Sequence, residues 1–216
     1  MSESLRPAAR RATVADVPVL ARSLARAFVE DPVFRWLFPA GRTRVERNTA
    51  FFAMALRHLH LRHGEVWTAQ EGAAAALWDP PGGWEVPPST MARQVPTLIR
   101  LLGPRLPQSL LGLRRIESRH PRTPHWYLAI LGTDPASQGR GLASACLAPV
   151  LSRCDADGTD AYLETATPAN VPFYERQGFT VTGEVTLPRG PMLWLMTRAP
   201  TVDTAAGRPE AAGAPR

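Results

Sequence analysis

The chain predicts an α/β fold in which helices cover a sheet, and three observations carry that reading. Segments with apolar residues at helical spacing alternate with short apolar runs of strand length. Gly, Pro, Asn and Asp fall between the two kinds of segment, where caps and turns are needed. With 216 residues and 44% hydrophobic content, the chain has ample apolar material for one core of ordinary size.

The elements follow in order. Residues 6–11 read as a first strand. Thr13 then caps a helix, with Asp16 well placed near its positive end, and this helix runs to about Val29. Glu30, Asp31 and Pro32 break it, and Phe34, Trp36, Leu37 and Phe38 form a short aromatic stretch. A second helix spans residues 44–63, closed by Gly64, and residues 65–70 and 73–78 read as a hairpin around Glu71 and Gly72. A Pro/Gly-rich connection leads to a long helical region over 91–118, which Pro104 and Pro107 should kink or split.

An apolar strand over 126–133 is broken by Asp134 and Pro135, and a helix follows with Leu142, Cys146, Val150 and Cys154 on one stripe. A strand at 162–165 precedes a short helix with Asn170 as its cap, Pro172 in its first turn and Gly178 as its stop. A last hairpin pairs residues 181–185 with 192–198. The domain is therefore expected over 1–198, and the Pro/Ala/Gly/Thr-rich residues 199–216 predict a disordered tail.

The chemistry concentrates between strand and helix at Gln138, Gly139, Arg140, Gly141, Leu142, Ala143 and Ser144. A helix start leaves N–H groups unpaired and carries partial positive charge, so it suits a phosphate. Glycines let the backbone approach such an anion, and Arg140 adds charge. Neither the nucleotide P-loop string nor the dinucleotide G-x-G-x-x-G/A pattern is present, since Ser144 stands where the latter needs Gly or Ala. What remains is Q/R-x-x-G-x-G/A on Gln138, Gly141 and Ala143.

That spacing resembles the acetyl-coenzyme A motif of the GNAT acetyltransferase superfamily. The run from Asn170 through Tyr174 and Glu175 to Gly178 and Phe179 resembles the next motif of that family. Over residues 120–198 the likeness is closest to puromycin N-acetyltransferase-like enzymes. The resemblance implies a mixed, mostly antiparallel sheet flanked by helices and splayed between the two motif strands. It implies acetyl-CoA as acyl donor, with the backbone of Leu131, Gly132 and Thr133 along its pantetheine arm. Residues 138–144 would then hold the pyrophosphate, and Asn170 would lie near the arm. Tyr174 takes the place of the general acid, and Asp31, Trp36 and Phe38 lie where the acceptor pocket is lined.

Transfer to an amine poses a proton problem. An alkyl amine of pKa ~10.4 is only about one part in 2,500 neutral at pH 7, a cost of about 4.6 kcal/mol, whereas an α-amine of pKa ~7.8 is over a tenth neutral. Glu164 is the candidate base, directly or through water; the alternative is a carboxylate paired with an arginine or finishing its strand. The expected reaction is direct N-acetylation of a primary amine of a small molecule such as an antibiotic, aminonucleoside or other xenobiotic. A protein or peptide acetyltransferase and a non-catalytic acyl-CoA sensor stay open as alternatives.

The formal net charge of +6 rests on 25 cationic residues, all of them Arg, spread along the chain without an aromatic-interleaved basic run. No nucleic-acid partner is expected from that pattern. No metal is expected either, because His58 and His60 point apart on a helix and no further ligand completes a set with His63. His120 and His125 flank Pro121 and Pro124, where a loop role is the simpler reading and proton carriage a second one. No apolar run approaches the ~18–20 residues of a membrane span. Cys146 and Cys154, eight apart on a helix, stand about 12 Å from each other, too far for a disulfide. A cytoplasmic protein, monomeric or homodimeric, is the expectation.

Overall fold

The structure, a computed structural model, describes residues 7–39 and 41–201. Its strands are β1 (Ala9–Arg11), β2 (Val66–Ala69), β3 (Ala74–Asp79), β4 (His125–Thr133), β5 (Asp160–Thr165), β6 (Thr180–Thr186) and β7 (Met192–Arg198). Its helices are α1 (Val17–Ala27), α2 (Pro32–Leu37), α3 (Arg44–Ala55), α4 (Pro88–Leu102), α5 (Leu106–Glu117), α6 (Leu142–Asp157) and α7 (Val171–Glu175). The strands form one seven-stranded sheet in the order β1-β2-β3-β4-β5-β7-β6. Every neighbouring pair is antiparallel except β4 and β5, which run parallel. The mixed, mostly antiparallel α/β fold implied by the resemblance is the fold observed.

Period-2 alternation divides the core between the two faces. Ala74, Ala76 and Trp78 of β3 join Leu128, Leu163 and Met196 beneath α6, whose predicted stripe of Leu142, Cys146, Val150 and Cys154 is wholly buried. Ala75 and Leu77 face the other way, into a cluster with Val17, Leu20 and Leu24 of α1 and Phe52 of α3. On that same side, Tyr162, Leu193 and Leu195 pack against Trp36 of α2 and Ile116 of α5.

Local differences from the sequence expectations have identifiable causes. Glu30, Asp31 and Pro32 do not only end α1; they start α2. The Asp31 carboxylate accepts the N–H groups of Val33 at 2.9 Å and Phe34 at 3.1 Å, and Pro32 takes the first helical position, where no N–H is needed. The expected helix over 44–63 keeps its Gly64 stop, in left-handed φ of +69°, but beyond Ala55 it widens over Leu56–His60 and tightens over Leu61–His63. The long helical region splits at Gly103, φ +54°, while Pro96 lies inside α4 and Pro107 falls in the first turn of α5. Asn170 is a correction. It has right-handed helical φ/ψ and makes no capping hydrogen bond, because a tight turn over Pro168–Asn170 has already begun the helix.

Arg6, expected to open the first strand, and residues 202–216 of the expected tail lie outside the described residues. Packing continues past the expected boundary at 198: the Thr201 N–H donates to Asp155 Oδ1 at 2.7 Å. Among the described residues, no helix is long and apolar enough to cross a membrane.

Candidate active site

The site begins where the parallel pair comes apart. β4 and β5 pair from His125 opposite Asp160 to Leu128 opposite Leu163, and no further. On the other edge of β4, Leu77 of β3 pairs with Ile130 and Trp78 with Leu128, leaving Ala129 as a bulged residue. The bulge comes at the point of divergence. Residues 130–133 stay paired to β3 but have no partner on the β5 side, so their main chain presents an open strand edge. A cavity of about 780 Å³ fills the wedge, lined by Leu131, Gly132, Thr133, Glu164 and Tyr174 among others.

At one end of this cavity lies the cradle. Asp134 accepts the Ala136 N–H at 3.1 Å and is gripped by Arg26 of α1, fixing the turn over Pro135–Ser137 that carries the chain off β4. Gly139 and Gly141 then adopt left-handed φ of +76° and +75°. Among the described residues, the six main-chain N–H groups from Gly139 to Ser144 have no acceptor. Successive free N–H groups at the start of a 16-residue helix make an anion nest. The Thr133 hydroxyl, buried and without a hydrogen-bond partner among the described residues, adds an orphaned polar atom along the open edge. These features fit a ligand with a phosphate-rich end and an amide-bearing arm.

Gln138, Gly139, Gly141, Leu142, Ala143, Ser144 and Asn170 all line the cavity, as do Leu131, Gly132 and Thr133. Arg140 does not. Its guanidinium turns back on its own loop to the Ala136 carbonyl at 3.4 Å, and the arginine lining the cavity is Arg176.

At the other end stand the titratable groups. Glu164 is the first β5 residue past the last rung of the β4/β5 ladder, so divergence of the strands opens the space its carboxylate enters. The Tyr127 hydroxyl donates to its Oε2 at 3.0 Å, and His120 Nε2 stands 3.2 Å from its Oε1, off hydrogen-bond alignment. Glu164 therefore pairs with a tyrosine and a histidine, not with an arginine. Burial, then the Glu164 charge, pushes the Tyr127 phenol well above its ordinary range.

Tyr174, packed edge-on against Phe173 and Phe179, lines the same cavity, and its hydroxyl has no hydrogen-bond partner among the described residues. Burial, then the nearby Asp31 carboxylate, raises this phenol too. Asp31 lines the cavity beside Glu30; its own carboxyl is raised by burial, against the opposing hydrogen bonds from Phe34 and Val33.

Two expected acceptor-pocket residues lie elsewhere. Phe38 is fully buried, near Phe34 of α2 and Phe51 of α3. Trp36 donates its indole N–H to the Pro188 carbonyl at 3.1 Å and packs where Gly112 and Gly190 leave room for it. Both anchor α2 rather than face the cavity. Tyr127 has no signal of its own in the sequence, and for His120 a loop role is the simpler sequence reading, with proton carriage second. Only the parallel register, Tyr127 opposite Tyr162 with Glu164 two residues on, reveals their grouping.

Comparison with known proteins agrees with this geometry. Residues 107–198 match the family described as the acetyltransferase (GNAT) domain. An uncharacterised N-acetyltransferase of Schizosaccharomyces pombe is 27% identical, the alignment covering 95% of this chain and 90% of the relative. Among solved structures, a Corynebacterium glutamicum protein described as histone acetyltransferase HPA2 and related acetyltransferase superposes with a TM-score of 0.70 at 25% identity, over 93% of this chain and 99% of the other. The polyamine N-acetyltransferase of Drosophila melanogaster, which forms N-acetylagmatine, shares the fold with a TM-score of 0.59 at 16% identity, over 89% and 99% of the two chains. Residues 107–198 therefore carry the signature of the acetyltransferase (GNAT) domain, within a splayed α/β sheet of the GNAT type.

Proposed function

We propose that the protein uses acetyl-CoA to N-acetylate a primary amine of a small molecule by direct transfer. The observation that carries this reading is one continuous cavity joining the N–H nest and open β4 edge to Glu164 and Tyr174. Residues 139–144 would receive the pyrophosphate, and the edge over 131–133 with the Thr133 hydroxyl would receive the pantetheine amides. Asn170, exposed and free of any capping duty, is available to the same arm.

The acceptor end is acidic. Among the described residues, Glu30, Asp31 and Glu164 line the cavity against the one cation Arg176, which favours a cationic amine, including one with a second positive group. Glu164 takes the ammonium proton, the freed nitrogen lone pair forms the C–N bond as the C–S bond breaks, and the second proton that the nitrogen sheds on becoming an amide neutralises the departing thiolate. Tyr174, held protonated by burial, donates a hydrogen bond to the departing sulfur. Its phenol stands above the ~8.5 of a simple thiol, so this hydrogen bond carries the stabilisation more than complete proton transfer does.

A covalent route through cysteine is disfavoured. Burial pushes the thiols of Cys146 and Cys154 up to about 12, and both are fully buried on the core face of α6. Two buried free thiols also suit a reducing, cytoplasmic compartment.

Thiol release from acetyl-CoA against a panel of puromycin and other aminonucleosides, polyamines and agmatine, arylalkylamines and short peptides tests the proposal. Saturable release with a small amine is expected. Turnover confined to peptides would overturn the small-molecule acceptor, and tight acetyl-CoA binding with no turnover would make the chain a sensor.

A further inference from the structure

A second cavity, of about 610 Å³, is lined by Trp84, Glu85, Glu117, His120, Arg122 and His125 among others. It shares no lining residue with the first, yet the two meet at His120, whose Nε2 lies 3.2 Å from Glu164 Oε1.

Hydrogen-bond logic fixes the protons along this contact. His125 Nδ1 lies 2.8 Å from the Thr123 carbonyl, which can only accept, so that nitrogen carries a hydrogen. Burial holds His125 below the ordinary imidazole range, leaving its Nε2 as an acceptor. That Nε2 faces His120 Nδ1 at 3.4 Å, so His120 must donate there. His120 Nε2 and the Glu164 carboxylate are then two lone-pair bearers facing each other. The two gaps need two protons and a neutral His120 supplies one, so a proton arriving at Glu164 has His120 Nε2 as an acceptor 3.2 Å away, reached once the ring turns into line.

We infer that His120 and His125 carry the proton lost by the acceptor amine from Glu164 out to the second cavity. This rests on Glu164 acting as the base for amine acetylation. The ammonium proton passes to Glu164 and on to His120 Nε2. His120 Nδ1 releases its own hydrogen to His125 Nε2, and the resulting imidazolium gives up its Nδ1 hydrogen to water in the second cavity, breaking its contact with the Thr123 carbonyl. No electrons change hands, and the amine keeps the pair with which it attacks.

The surroundings hold this geometry. The Trp84 ring stacks on His120 at 4.1 Å, and Tyr127 and Tyr162 close in at 4.6 and 4.8 Å. Charged groups acting on the cluster come from every side: Glu117 and Arg119 at the end of α5, Glu85 before α4, Arg122 on the cavity wall, Asp160 of β5 and Asp79 of β3.

The test is kcat/KM from pH 6 to 9 with an alkylamine of pKa ~10.4 and an α-amine of pKa ~7.8, which differ in their need for a base. His120→Gln keeps an amide beside Glu164 but cannot relay. It should lose about 10- to 100-fold with the alkylamine at pH 7 and far less with the α-amine. His120→Ala should regain activity in imidazole buffer, which leaves the wild type unchanged, while calorimetry shows acetyl-CoA still binding. His125→Gln should shift the acid limb of the same profile. Equal losses with both amines, or no rescue by imidazole, would make His120 a packing residue and overturn the path. A wild type that acetylates no amine would instead sink the reading of Glu164 on which the path stands.

Discussion

Tyr174 and Asp31 line the same cavity, and each has a structural role from which its chemistry must be separated. Tyr174 packs between Phe173 and Phe179, so removing its ring would damage the core whatever its hydroxyl does. Tyr174→Phe keeps the ring. It should lower kcat about 100-fold with the acetyl-CoA dissociation constant nearly unchanged, measured by steady-state kinetics and calorimetry; an unaltered kcat would leave Tyr174 as packing. Asp31 caps α2, a task Asn performs as well. Asp31→Asn should therefore leave the melting temperature within about a degree or two yet raise KM for a diamine more than for a monoamine. Equal KM changes for the two would mean that the carboxylate only caps. At this scale the sequence was legible where function is local. The small-residue loop from Gln138 to Ser144 and the block ending at Phe179 announce themselves within a few residues. Tyr127 and His120 do not, because nothing short of the β4/β5 register brings them to Glu164.

Among the elements, the two motif glycine sites answer to different forces. A Cβ on Gly132 would lie 2.7 Å from Leu24 Cδ2, 2.9 Å from Phe28 Cε2 and 3.3 Å from Ala27 Cβ, so this glycine lets α1 lie flat on β4. Gly132→Ala should cost about 1–3 kcal/mol by overpacking, read as a lowered melting temperature. Gly139 has open space around it but a φ of +76°, so its role is backbone conformation. Gly139→Ala should loosen acetyl-CoA binding several-fold while melting changes less than for Gly132→Ala; the reverse ranking would mean that the nest is not the phosphate site. Punctuation residues explain which elements could be read in advance. Pro32 looked like a break because a proline stops the preceding helix, yet the same residue opens α2 once Asp31 caps it. Pro107 likewise opens α5 rather than kinking it, and the true break is Gly103. Composition marked the boundaries and left open which side of each was helical.

For the molecule as a whole, alternation of segments predicted a layered α/β fold, but strand order and the divergence of β4 from β5 are tertiary facts with no local sign. The net positive charge also resolves only in three dimensions. Glu65 bridges Arg11 of β1 and Arg153 of α6, each at 2.8 Å, tying the sheet edge to the helix that covers it. Burial of ionisable groups sets the response of the whole fold to acid. His63 and His125 are both held below the ordinary imidazole value, in each case chiefly by burial. Below about pH 6.5 the unfolded chain protonates these histidines before the folded chain does. The unfolded state then binds more protons, and stability falls as pH falls. Asp31 and Glu117 oppose this at lower pH: their folded carboxyls are raised by burial and take up protons before their unfolded counterparts, which titrate near 4. The melting temperature should therefore drop between pH 7 and 5.5, by roughly 2–4 °C for each kcal/mol lost in a domain of this size. His63 is only half-buried, so His63→Gln should fold and show a shallower slope over that interval. A melting temperature that rises on acidification through pH 6, or a slope unchanged in His63→Gln, would show that the buried carboxyls and not the neutral histidines govern the acid response.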